Sequence, residues 1–212
     1  GALGTADVTV NGNVDGTLGG VAATEESKIT VNGDVDSDGV GALATDKGEV
    51  VVNGDVKGGE VGVAAEGEST VKVEGDVAGK DGAEQGGYGV VSTENAQVEV
   101  AGDVKGGNAE SDTDQAVGGT GVIAAGESEV TVGGSVQGGD AKNDIVAMAG
   151  DGVGIEATAD VTVKGDVKGG NAASKKQAVA GDGVVVLCLK AQDEEAKQAG
   201  KLVIEGSVSG GQ

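Results

Sequence analysis

Aliphatic residues recur along this chain in a short phrase, Val-x-Val-x-Gly-(Asp/Asn/Ser)-Val, in which the intervening positions are mostly polar. The phrase occupies 8–14, 29–35, 50–56, 71–77, 98–104, 130–136, 161–167 and 202–208. Alternation with a period of two marks a strand with one buried face. The first three intervals between phrases are 21 residues, and the later ones are 27, 32, 31 and 41. Between successive phrases lies a second apolar run opening on a glycine pair: Gly20-Val21, Gly41-Ala42, Gly62-Val63, Gly89-Val90, Gly121-Val122, Gly152-Val153 and Gly183-Val184. From the apolar member of the pair to the next phrase is eight residues in every interval but the last. From the end of a phrase to the pair is seven residues three times, then 13, 18, 17 and 17.

A coil of constant circumference that lengthens at one corner describes an all-β, single-stranded parallel β-helix, or β-solenoid. Eight coils with a 21-residue basic turn are expected, as one domain over 1–212. Coils following one another give parallel strands, for which a right-handed crossover is the default. Identical positions then stack about 4.8 Å apart, so that eight layers span roughly 35 to 40 Å. The extra residues predict long loops at 105–120, 137–151 and 168–182 and an insertion at 190–200, whose Lys-Ala-Gln-Asp-Glu-Glu-Ala-Lys-Gln-Ala-Gly composition favours a short surface helix. Glycines at the corners are expected to supply positive φ angles and close approach.

Composition supports a thin core. Glycine contributes 44 residues, proline, phenylalanine, tryptophan and histidine are absent, there is no arginine, and Tyr88 is the single aromatic residue. Without large side chains the interior must be built from Val, Ala, Ile and Leu, which favours a stack over a globule. The net charge of -22, from 36 acidic residues against 14 lysines, opposes binding to nucleic acid and to anionic membranes. No run of about 18 apolar residues predicts direct membrane insertion. Cys188 is the single cysteine, and with no histidine to activate it, it reads as a small buried hydrophobe. The chain opens on Gly1 without a signal-peptide pattern and its strand pattern runs to Gln212, so a segment of a longer secreted protein is expected, with end-to-end association open to it.

Three features are candidates for chemistry. The position after the phrase glycine holds Asn13, Asp34, Asp55, Asp76, Asp103, Ser135, Asp166 and Ser207. Stacked carboxylates repel, and two forms of relief are open. Each carboxylate could accept backbone N–H groups in its following turn, helped by Lys57, Lys105 and Lys168. Alternatively, Ca2+ could bridge coils through Asp34, Asp55, Asp76 and Asp103, although the tandem nonapeptide of calcium-binding β-rolls does not occur. A partial threonine column, Thr9, Thr30, Thr131 and Thr162, is broken by Val51, Lys72 and Glu99 and lacks the regularity an ice lattice requires. The third feature is a template shared by the long segments, Gly-Gly-(Asn/Asp)-Ala followed by Ala-Val or Ala-Met and a glycine. Stacked, these segments form one edge that reads either as a ligand-facing surface through Asn108, Asp112, Asp114, Asp140, Asp144 and Asn171 or as sequence drift at a tolerant corner.

The phrases Val-Thr-Val-Asn-Gly-Asn-Val at 8–14, Ile-Thr-Val-Asn-Gly-Asp-Val at 29–35 and Val-Thr-Val-Lys-Gly-Asp-Val at 161–167 resemble the degenerate repeats of bacterial cell-surface β-helix proteins, including adhesins and autotransporter passengers. That resemblance covers roughly 8–208 and implies a secreted protein, extracellular or at the cell surface, acting in adhesion or as a stalk, with a host or cell-surface glycan or protein as partner. No site residue is carried over, because the matching positions are coil-forming ones. A structural or adhesive display module without catalysis and without a cofactor is therefore the leading expectation. A carbohydrate-active β-helix enzyme is the alternative, though arginine and histidine bases and aromatic sugar platforms are missing. A calcium-stabilised repeat module is the third.

Overall fold

The computed structural model describes residues 1–113, 115–156, 158–187 and 200–212. Each basic coil contributes three short strands, in the first coil Asp7–Val10, Val14–Gly16 and Gly19–Ala23. Strands from successive coils join side by side into two eight-stranded sheets and one seven-stranded sheet, parallel throughout. The chain is thus an all-β parallel β-solenoid.

Register follows the sequence phrase position for position. Val8 lies beside Ile29, Ile29 beside Val50, Val50 beside Val71, and so on through Val98, Val130 and Val161 to Leu202. Parallel strands displaced by one coil present the same residue type at the same place, so each valine packs on the valine of the next coil. Val31, Val52, Val73, Val100, Val132 and Val163 are fully buried, as are Val63, Val90, Val122 and Val153 on the third sheet. Burying a residue of this size stabilises by roughly 1.5 to 3 kcal/mol. All three sheets share one continuous apolar cluster, which Val8, 38 % exposed, leaves at the first coil.

Glycine meets the sequence expectation mainly through close approach. Positive φ occurs at Gly4, ahead of the first phrase, and at Glu25, Asp46, Lys47, Gly67, Glu94 and Gly126, all in the constant eight-residue connection leading to the next phrase. Of the phrase glycines only Gly12, in the first coil, has a φ in the left-handed half of conformational space. The others are required by proximity: a Cβ on Gly54 would lie 2.3 Å from Asp34 Oδ1 and 2.7 Å from the Gly33 carbonyl oxygen. At the connecting turn a serine closes the layer instead, Ser27 Oγ donating to Thr24 O at 2.7 Å and Ser69 Oγ to Ala44 O at 3.0 Å.

The segments expected as loops at 105–120, 137–151 and 168–182 are themselves layered. They carry the strands Ala109–Ser111, Ala141–Asn143 and Ala172–Ala173 in one parallel sheet, and Ala116–Val117, Val146–Met148 and Gln177–Val179 in another. Between these sheets lies a second core of Ala109, Ala116, Ala141 and Ala147. Alanine suffices because the two sheets belong to a narrow side lobe. The insertion expected at 190–200 falls, for 190–199, outside the described residues, and so does Cys188.

The waist between lobe and main coil is made of glycine alone. Gly107 N–H donates to Gly87 O, Gly119 to Gly107, Gly139 to Gly119, Gly150 to Gly139, Gly170 to Gly150 and Gly181 to Gly170, at 2.7 to 2.9 Å. Chain leaving for the lobe and chain returning from it alternate in this series. A Cβ on Gly139 would stand 1.9 Å from the Gly107 carbonyl oxygen. Gly154, by contrast, has nothing nearer than the Val122 oxygen at 4.0 Å, and its stacking partners are Ile123 and Val185. Gly139→Ala is therefore expected to destabilise by about 1 to 3 kcal/mol, whereas Gly154→Ala should be neutral or stabilise by up to about 1 kcal/mol. Equilibrium denaturant unfolding of the two variants distinguishes them.

Candidate functional site

The column after the phrase glycine forms because each of its residues carries a short side chain with an acceptor oxygen. Asn13 Oδ1 accepts the Asp34 N–H at 3.0 Å, Asp34 Oδ1 that of Asp55 at 3.0 Å, Asp55 Oδ1 that of Asp76 at 2.9 Å and Asp76 Oδ1 that of Asp103 at 2.8 Å. Asp103 continues to Ser135, Ser135 to Asp166 and Asp166 to Ser207. Relief of the stacked carboxylates thus comes from the equivalent residue of the next coil and not from the turn within the same coil. Among the ion pairs of the described residues none involves Lys57, Lys105 or Lys168.

This geometry fits calcium poorly. One oxygen of each of Asp34, Asp55, Asp76 and Asp103 is committed to an N–H group, and Ca2+ takes six to eight oxygen ligands. Among the described residues no group of three or more acidic, cysteine or histidine side chains is placed to hold a metal ion. The hollow beside the first coils, about 190 Å3, is lined by Asn13, Asp15, Asp34, Asp36, Asp55 and Lys57 and opens on exposed carboxylates.

The lobe repeats the arrangement. Asn108 accepts the Asp140 N–H at 2.9 Å, Asp140 that of Asn171 at 2.7 Å, and Asn171 that of Gln212 at 3.0 Å, while Asn108 itself donates its N–H to Asp81. Three of the residues expected to face a ligand, Asn108, Asp140 and Asn171, are therefore half-buried members of a second ladder. Asp112 and Asp144 stand exposed at the tip of the lobe. Asp114 lies outside the described residues.

A groove of about 690 Å3 runs where the lobe meets the main coil, lined by Asn108, Asp140 and Asn171 together with Glu110, Lys142 and Lys168. A smaller hollow of about 280 Å3 at the tip is lined by Glu110, Asp112, Lys142, Asp144 and Lys175. Lys142 pairs with Glu110 of the preceding coil, and that hydrogen bond, followed by the carboxylate charge, raises the Lys142 pKa above its ordinary value. Lys175 pairs with Asp144 at 2.7 Å. Asn143 is buried and holds the tip turn, its Nδ2 donating to Ser111 O and its Oδ1 accepting from Ile145 and Val146. Glu110, Lys142, Lys168 and Lys175 were not singled out as individual ligand-facing residues from sequence. The available signal was the change of charge from Glu110 to Lys142 at one template position. Chemically, the edge offers hydrogen-bond donors and acceptors and paired charges in rungs one coil apart.

A solenoid of stacked parallel sheets with a laddered side lobe is the class of protein these features define. No protein-family model matches the chain, and neither a curated protein nor a solved structure matches it.

Two outcomes follow from the main ladder. Stacked carboxylates at strand spacing repel by about 1 kcal/mol in water, and salt screens that repulsion. Asp55→Asn keeps an acceptor and removes one charge, so its melting temperature should exceed wild type at low salt, with the gain shrinking as salt is added. Asp55→Ala leaves the Asp76 N–H without its partner and should cost about 0.5 to 1.5 kcal/mol. The second outcome concerns acid. Hydrogen bonds from the Ser207 N–H and then the Ser207 hydroxyl hold the Asp166 pKa below its ordinary 3.8. A depressed folded pKa contributes stability that is full above the ordinary value and is lost as pH falls through the folded one. Melting curves over that acid range should show the loss in wild type and a smaller one in Asp166→Asn.

Proposed function

We propose that this chain is a structural or adhesive surface-display module of a secreted bacterial protein, acting outside the cell or at its surface and without catalysis. The observation that carries this reading is the contrast within the side lobe. Its glycine waist, alanine core and Asn108–Asp140–Asn171 ladder repeat from coil to coil. Its exposed positions do not: Glu110 stacks on Lys142 and Lys142 on Ala173. At the tip Asp112 and Asp144 agree and the third rung changes sign to Lys175. A rigid frame that holds changing side chains at fixed spacing is the arrangement expected of display, because the frame is paid for once and the exposed residues are free to vary. A glycan or protein on a host or neighbouring cell is the partner this reading names, met by polar and charged groups along the groove.

The test is a glycan and cell-surface protein array probed with wild type and with a variant carrying Glu110→Ser, Lys142→Ser, Asp144→Ser and Lys175→Ser. Binding lost in the variant, with circular dichroism and melting temperature unchanged, supports the proposal. Release of sugar product from any arrayed polysaccharide, abolished by a single carboxylate substitution, would overturn the non-catalytic reading.

A further inference from the structure

The first three coils place Asn-Gly sequences one above another: Asn11-Gly12, Asn32-Gly33 and Asn53-Gly54. All three asparagines are exposed, and they form a side-chain ladder distinct from the two described above. Asn32 Nδ2 donates to Asn11 Oδ1 at 2.8 Å, and Asn53 Nδ2 donates to Asn32 Oδ1 at 2.7 Å. The following glycines differ from three of those higher in the stack. Gly102, Gly134 and Gly165 each donate their N–H to the glycine carbonyl of the preceding coil, whereas Gly12, Gly33 and Gly54 make no backbone N–H hydrogen bond among the described residues.

We propose that this column is a site of spontaneous deamidation whose order is set by the ladder, with Asn11 converting first and Asn32 last. The step is intramolecular. The glycine nitrogen attacks the asparagine Cγ, a C–N bond forms, the Cγ–Nδ2 bond breaks, and ammonia leaves carrying the glycine proton. Water then opens the cyclic imide at either carbonyl, giving aspartate or isoaspartate and one new negative charge. A glycine after asparagine has no β-carbon to shield its nitrogen, and with its N–H untethered it supplies the nucleophile. What differs between the three sites is how firmly the side chain is held away from it.

Asn32 is tied at both atoms and must release two hydrogen bonds to swing its Cγ toward Gly33. Asn11 and Asn53 are tied at one atom each. Asn11 also directly follows the strand Asp7–Val10, which is paired on one side alone and carries Val8, 38 % exposed. The products separate the sites as well. A carboxylate at position 11 still accepts from Asn32 Nδ2, in a charge-assisted bond. A carboxylate at position 32 or 53 removes a donor and sets oxygen against oxygen. The ladder therefore tolerates the change at its first rung and opposes it at the other two.

The experiment incubates the folded chain at mildly alkaline pH, maps each site over time by peptide mass spectrometry, and repeats the series in denaturant. In the unfolded chain the three sites should convert at similar rates. In the folded chain Asn11 should outpace Asn32 by about fivefold or more, the factor associated with one extra hydrogen bond. Asn53→Ala, which places at this position the alanine that the fifth coil already carries as Ala101, should speed conversion at Asn32 by about the same factor. Asn11→Asp should leave the melting temperature unchanged and Asn32→Asp should lower it. Conversion of Asn32 as fast as Asn11, absence of conversion at Asn11 in the folded chain, or an Asn32 rate indifferent to Asn53→Ala would each overturn the proposal.

Discussion

The whole molecule depends on one constraint: each coil must hydrogen-bond in register to a copy of itself displaced by a single strand spacing. Backbone groups along the three sheets pair with the coil above or below, so nothing within one coil is stable alone. Side chains inherit the displacement. A residue that suits the interior must suit stacking on its own kind, which valine does at Val31, Val52, Val73 and Val100, all fully buried. Backbone at the corners approaches backbone closely enough to exclude any Cβ, and glycine fills both the phrase corner and the waist. The small-residue composition is a consequence of this translation.

The same constraint explains why the three sheets were legible from sequence. In-register stacking forces identical chemistry to recur at the coil period, and the phrase beginning at Val8, Ile29 and Val50 states that period in its letters. The side lobe was not legible as structure. Its strands are two or three residues long, too short for alternation to be recognised, and its core is alanine, which carries little hydrophobic signal. Its glycine pairs were visible as a template, but their purpose was not. They permit the leaving and returning backbones to interleave, which is a relation between coils that no single repeat contains.

The candidate residues divide for a related reason. Asn108, Asp140 and Asn171 recur because the ladder requires an acceptor at that place, so recurrence marked them as structural parts of the lobe. Residues free to face a partner, such as Glu110 and Lys142, are the ones that change from rung to rung. In a solenoid, repetition points to the frame and variation points to the exposed surface. A search for repeated polar residues therefore finds the frame first.

Charge must obey the translation too, and here the chain uses two solutions. Where successive coils carry opposite charges at one position they pair across the stack, as Lys28 with Glu49, Glu110 with Lys142 and Asp144 with Lys175. Where they carry the same charge, as from Asp34 to Asp103, an N–H group of the next coil lies against each carboxylate, and the phrase glycine leaves room for it. The second solution needs no cation, so it can be repeated without limit in a chain poor in lysine. Close stacking of these aspartates is then compatible with a net charge of -22, because backbone N–H groups, and not neighbouring cations, balance the columns. Glycine at the corner and a short acceptor after it are thus one device, since the bare corner leaves room for the N–H that the acceptor receives.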